Sequence, residues 1–325
     1  MFFVNKGLVN SICGLGKEQP SGRATSFVSF AKYKGYIEKA MYALAISPHL
    51  ASVSAANVHQ AVKTSLVNGD KPSADHKRLS KEPFKFNLEL NSTMTIGGYD
   101  LQDFTGNMTW YDSSQCSNCW NITGTALGIN DTVLNDTSEA QPVKGQNFTI
   151  SLQTGFPYIG LNARSMGKLK AVVSDEWNPD FATKLDCYKQ GNSQLCYWPG
   201  MNCTQLTFNG NFVVQIGDLY YAIPIQRLVS TNWNPTSLRF DCDLYIMQFE
   251  ENQDNAVRLG DAFFSAFFPV FDIENDLVGL ALNSQALEGS SITQVVTPTP
   301  PQPPALLEHE ASPDHEKTED PIILQ

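Results

Sequence analysis

Seven cysteines, five histidines and a series of Asn-x-Ser/Thr triplets are the residues of this 325-residue chain whose types and spacing could do chemistry. Cys116-Ser117-Asn118-Cys119 is a C-x-x-C pair. Thiol–disulfide exchange would need that pair at a helix N-terminus within a β-α-β unit. Here it sits in an Asn- and Ser-rich turn between strand-like runs, so a loop disulfide is expected. Cys187 and Cys196 bracket a ten-residue loop and form a second candidate pair. Zinc would need four ligands, and no second close cysteine pair with histidine occurs, so no metal is expected. His49, His59, His76, His309 and His315 lie near no motif, which leaves a Ser-His-Asp arrangement without support. Cys13 stands in an apolar segment, where a buried free thiol is the default.

The triplets fall at Asn91, Asn107, Asn121, Asn130, Asn135, Asn147 and Asn202. That is more than composition alone would supply, and it points to a glycosylated history in the secretory pathway. Paired cysteines in an oxidising compartment agree with it. No signal peptide is visible, because Met1-Phe2-Phe3-Val4 runs at once into Asn5 and Lys6. The formal charge of −11 argues against nucleic acid, whose phosphates need a basic face. No apolar run approaches the roughly 20 residues that span a bilayer.

The elements that would position these residues read mainly as strands. Phe27, Phe30 and Ala31 lie at helical spacing, with Gly35 where a left-handed C-cap is wanted. Met41–Ile46 reads as a strand. Residues 49–85 carry turn and loop chemistry, with Asn68-Gly69-Asp70, Pro72 and a mildly basic patch at Lys77, Arg78 and Lys81. From 86 to 285, Phe86, Leu88 and Leu90, and again Phe212, Val214 and Ile216, alternate with polar neighbours as half-buried strands do. One helix is expected at 261–268, with Asp261 near its start. Residues 286–325 combine Thr297-Pro298-Thr299-Pro300-Pro301 with an acidic run. They read as a disordered, extended tail.

Residues 150–162, I-S-L-Q-T-G-F-P-Y-I-G-L-N, and 257–281, V-R-L-G-D-A-F-F-S-A-F-F-P-V-F-D-I-E-N-D-L-V-G-L-A, resemble the two halves of the active-site loop in the C-terminal lobe of pepsin-like aspartic endopeptidases. The stretch 94–110 resembles the strand and turn leading into that lobe. Ile12-Cys13-Gly14-Leu15-Gly16 and residues 26–47 resemble late first-lobe segments. The pieces occur in the family's order and touch most of residues 7–283, apart from the insertion near 49–85.

The resemblance implies a mainly β, pepsin-like fold: a first-lobe remnant at 1–48, the insertion at 49–85, the C-terminal lobe at 86–285 and the tail at 286–325. It implies a disulfide between Cys203 and Cys242, structural roles for Asp261 and Asp272, and peptide-bond hydrolysis in acid without cofactor or metal. Thr154 and Gly155 match the second and third residues of the family's Asp-Thr-Gly, but Gln153 stands where the aspartate belongs. Phe156 replaces the small hydroxyl residue that follows. Neither Asp-Thr-Gly nor Asp-Ser-Gly occurs in the chain, which starts just ahead of the late first-lobe segment. A truncated first lobe is therefore the expectation.

Aspartic proteolysis needs two carboxylates sharing one proton, and a primary amide neither accepts nor releases a proton in that range. The expectation is a homologue without catalytic activity of its own. It would retain a peptide- or protein-binding surface near Gln153, reside in the secretory pathway, outside the cell or in a lysosome- or vacuole-like compartment, and self-associate through the exposed lobe interface. An active protease whose first lobe lies outside this sequence is the alternative.

Overall fold

The structure is a computed structural model. It describes residues 26–47, 92–129, 147–176, 185–191, 193–206, 210–234, 238–249, 256–286 and 289–294, with short pieces at 2–3, 12–13, 17, 84–87 and 132–134. Residues 1–294 form one compact unit, and 295–325 lie outside the described residues. The fold is mainly β, as expected of the pepsin-like architecture.

The first sheet has six antiparallel strands, in the order Phe84–Asn87, Thr93–Ile96, Met41–Ala45, Phe267–Asp272, Leu277–Asn283, Phe104–Asp112. Met41–Ala45 is buried on both faces and lies between strands that come much later in sequence. Tyr42 stacks on Phe271 at 4.7 Å between ring centroids, and Trp120 tilts against the same ring at 5.1 Å. The early segment and the later β region thus share one sheet and one core.

Helix Phe27–Tyr33 precedes this strand. Ser26 caps it by accepting from the Ser29 amide. At the other end Gly35, at φ +73°, lets the Gly35 and Tyr36 amides reach the Lys32 and Ala31 carbonyls, which satisfies otherwise unpaired acceptors. The buried face differs from the one read off the sequence. Val28 and Ala31 point inward, whereas Phe27 and Phe30 remain nearly half exposed. Val28 and Ala31 are three apart and share one stripe of the short helix; Phe27 and Phe30 share the stripe beside it.

A five-stranded sheet runs Ser291–Gln294, Leu219–Pro224, Asn211–Ile216, Ala126–Ile129, Thr132–Val133. The expected alternation holds, since Phe212, Val214 and Ile216 are fully buried. Ser291–Gln294 falls inside the stretch read as a tail, so paired structure extends beyond 285. Ile292 lies opposite Tyr221, and the prolines that forbid a ladder begin only at Pro298.

The third sheet has eight strands. Seven follow the order Asp186–Gln190, Ser193–Trp198, Arg239–Phe249, Ile159–Leu161, Ala256–Leu259, Phe148–Leu152, Asn121–Gly124, and Val229–Asn234 also pairs with Arg239–Phe249. Phe148–Leu152 runs parallel to Ala256–Leu259, and Ile159–Leu161 parallel to Arg239–Phe249. Disulfides join Cys116 to Cys119, Cys187 to Cys196 and Cys203 to Cys242.

Two helical expectations change. Helix Ala163–Glu176 was not anticipated. Asn162 caps it by accepting from the Ser165 amide at 2.8 Å, and Met166, Leu169 and Val172 recur three apart on its buried face. The helix expected at 261–268 is only Asp261–Phe264. Pro269 biases Phe268 toward extended backbone, and Phe267 and Phe268 bury fully by pairing with Leu282 and Ala281.

Candidate functional site

The strand Phe148–Leu152 delivers residues 153–156 to a tight loop. The Gln153 amide donates to the Leu259 carbonyl at 2.9 Å, and the Phe156 amide turns back to the Gln153 carbonyl at 3.3 Å. Gly155 occupies φ +80°, a conformation that side chains other than hydrogen resist. The opposing segment is zipped to this loop. Gly260 donates to Tyr158, Asp261 to Phe156 and Ala262 to Pro157, each backbone to backbone. A Cβ on Gly260 would stand 1.8 Å from the Phe156 carbonyl oxygen, so only glycine permits the contact.

Gln153 is half-buried, and its Nε2 donates to the Ser151 hydroxyl at 3.4 Å. Thr154 is half-buried beside it, and Gly155 is exposed. Asp261 reaches across from the second segment and accepts from the Gly155 amide at 3.2 Å. Burial pushes its carboxyl up to about 7, and the Gly155 N–H only partly opposes that rise. The loop therefore holds a neutral amide and a carboxyl tied to a backbone amide. Among the described residues no group of three or more His, Cys, Asp and Glu is placed to hold a metal.

From Phe156 an aromatic face continues outward over the eight-stranded sheet. Phe156 meets Tyr158 edge-on at 6.0 Å, and Tyr158 stacks on Tyr245 at 5.6 Å. Tyr245 shares its face of Arg239–Phe249 with Asp243. Tyr197 lies opposite Asp243, Asp186 lies opposite Tyr197, and Tyr188 packs edge-on to Tyr197 at 5.6 Å. Burial raises the Tyr158 phenol to about 12 and also raises those of Tyr245 and Tyr188, so all three stay protonated. Burial lifts the Asp243 carboxyl too, against the Asn232 amide that donates to it. Sequence reading missed this face, because its residues alternate with core residues on strands far apart in the chain.

The other residues singled out in the sequence are dispersed. Asn107 and Asn147 are exposed, as glycan addition requires; Asn121 is half-buried in a strand. The Asn202 side-chain oxygen accepts from Thr204 and Thr231, which binds it into the turn next to Cys203. Asp272 is structural, accepting from the Glu274 and Asn275 amides. Asn91, Asn130, Asn135, all five histidines, the 49–83 stretch and the proline-rich tail lie outside the described residues, as does the Cys13 side chain.

A β architecture with two loops zipped at Gly260 defines a class, and comparison with known proteins identifies it. The family model for eukaryotic aspartyl protease matches residues 74–283. The chain belongs to that family. It is 23% identical over 273 residues to pepsin A of Rhinolophus ferrumequinum, covering 84% of this chain and 58% of that protein. It is 22% identical over 204 residues to embryonic pepsinogen of Gallus gallus, covering 62% of this chain and 43% of that one. The chain thus spans about half the length of these relatives. The family match begins at 74, inside the stretch read as an insertion.

Proposed function

We propose that this chain is a peptide-binding member of the eukaryotic aspartyl protease family that does not itself hydrolyse peptides. The observation that carries the reading is Gln153, at the loop position where the resemblance puts an aspartate. Its amide is directed to Ser151, and an amide cannot relay the proton that hydrolysis requires. Asp261 is the nearby carboxyl of the loop, but it is engaged by the Gly155 amide. The loop geometry and the aromatic face beside it remain suited to laying a peptide across that face of the sheet. Three disulfides and the exposed Asn107 and Asn147 favour a glycosylated protein of an oxidising, secretory compartment.

The second reading is an acid peptidase whose other lobe lies outside this sequence. The pepsins among its relatives favour it, although Gln153 would leave such a site one carboxyl short. Purified protein incubated with denatured globin at about pH 3–5, with and without a transition-state inhibitor, separates the two. The proposal expects no inhibitor-sensitive cleavage and saturable binding of fluorescent peptides. Inhibitor-sensitive digestion overturns it.

A further inference from the structure

We propose that Tyr158, Tyr188 and Tyr245, arranged around Asp243, form a subsite for the ammonium or guanidinium group of a lysine or arginine in the bound peptide. The inference rests on the peptide-binding reading above and assigns that surface a specificity.

The residues converge on one face of one sheet. Asp243 and Tyr245 are two apart on the same strand, and Tyr158, just ahead of the neighbouring strand Ile159–Leu161, stacks on Tyr245. Tyr188 approaches from the hairpin Asp186–Gln190/Ser193–Trp198, with half of its surface open to solvent. Tyr188 packs on Tyr197, Tyr197 lies directly opposite Asp243 across the ladder, and Tyr245 follows two residues on against Tyr158, so the four groups share one continuous face.

The carboxylates on this face are not equivalent. Asp241 accepts from the Gly200 amide and the Asn234 side chain, both at 2.8 Å. Asp186 accepts from the Cys187 amide and the Tyr197 hydroxyl. Asp243 accepts from Asn232 and keeps acceptor capacity, since a carboxylate offers about four lone-pair sites. The cation on the same strand face is Arg239, at its far end beside Gly200. Ser230 and Asn232 contribute no charge from the strand on the other side.

The surface is therefore net negative and aromatic. A cation there gains the ring quadrupoles and one carboxylate together, an attraction of about 0.5–2 kcal/mol for the aromatic part alone. A carboxylate-bearing side chain would meet repulsion from Asp186, Asp241 and Asp243. An aliphatic side chain would desolvate Asp243 further and leave its remaining acceptor sites unfilled.

The test uses the full chain and fluorescein-labelled alanine-rich octapeptides in which lysine, or norleucine as its uncharged counterpart, is placed at each position in turn. Anisotropy titrations are expected to show one register in which lysine is preferred about five- to thirtyfold. Asp243→Asn and, separately, Tyr188→Leu should bring that ratio toward one. Tyr188 sits on an exposed edge strand, so its replacement does not threaten the core. Binding without a lysine preference, or a preference that survives both substitutions, overturns the subsite and leaves the peptide-binding reading standing. If no octapeptide binds at all, both fall.

Discussion

The backbone N–H of Gly155 donates to Oδ1 of Asp261 at 3.2 Å, joining residues 106 positions apart at the crossing of the two loop segments. That bond favours an ionised Asp261. Burial disfavours it and wins, so the folded carboxyl titrates near 7, against an ordinary value of 3.8.

The sign of the pH effect follows. A folded pKa above the unfolded one means that the protonated carboxyl favours the folded state. Its stabilisation is complete below about pH 4 and is lost as pH rises through about 7. Because Asp261 keeps part of its surface open to solvent, the effect is discounted to about 1–2 kcal/mol. Asp261→Asn keeps an acceptor for Gly155 and has no charge to bury. Urea midpoints measured from pH 4 to pH 8 should fall with pH in the native protein and stay flatter in the variant. Parallel profiles would show that the carboxyl is not destabilised by burial.

Gly260→Ala places a methyl 1.8 Å from the Phe156 oxygen and 2.7 Å from the Tyr158 oxygen, both backbone atoms that cannot swing aside. The cost should be about 3 kcal/mol, at the upper end for overpacking, and the 153–158 loop should loosen. Urea unfolding gives the first quantity and amide hydrogen exchange at Gly155 and Phe156 the second. A substitution worth under about 1 kcal/mol would contradict this contact.

Cys203 and Cys242 close a loop with a sequence separation of 39, and both sulfurs are buried. Replacing both with alanine should cost about 3–4 kcal/mol, chiefly by freeing the unfolded chain. Replacing Cys116 and Cys119, whose sequence separation is 3, should cost far less. Thermal melts of the two double variants check the order, and equal losses would refute it.

Strand Phe104–Asp112 ends the six-stranded sheet, and Thr105, Gly106 and Asn107 along it are exposed. Leu101 and Trp110 add apolar surface nearby. An edge of this kind offers unpaired backbone groups to another strand. Sedimentation velocity should show association that grows with concentration. A monomer at all concentrations would count against it, and a glycan on Asn107 should weaken the association.

Much of the scaffold could be read without coordinates. The alternation of Phe212, Val214 and Ile216 identifies a half-buried strand, and Gly35 marks a helix end that only a left-handed residue closes. The order of the family-like segments pointed to Cys203 and Cys242 as partners. Helix Ala163–Glu176 escaped because its apolar stripe is narrow, with Gly167, Lys168 and Lys170 set between Met166, Leu169 and Val172, although Asn162 followed by Ser165 and Met166 carried a capping signal. The helix at 261–268 was overread because four phenylalanines fit a buried helix and a buried strand equally well.

What local chemistry determines by itself is the identity of the loop. Gln153 is an amide wherever the chain folds, and glycines at 155 and 260 are needed wherever backbone must approach backbone. The tertiary structure decided what surrounds that loop. Parallel pairing of Ile159–Leu161 with Arg239–Phe249 set Tyr158 against Tyr245, and the antiparallel hairpin Asp186–Gln190/Ser193–Trp198, laid along Arg239–Phe249, brought Tyr188 toward Asp243. No short-range pattern encodes such neighbours, because each strand records only which of its faces is buried and not which partner will lie beside it.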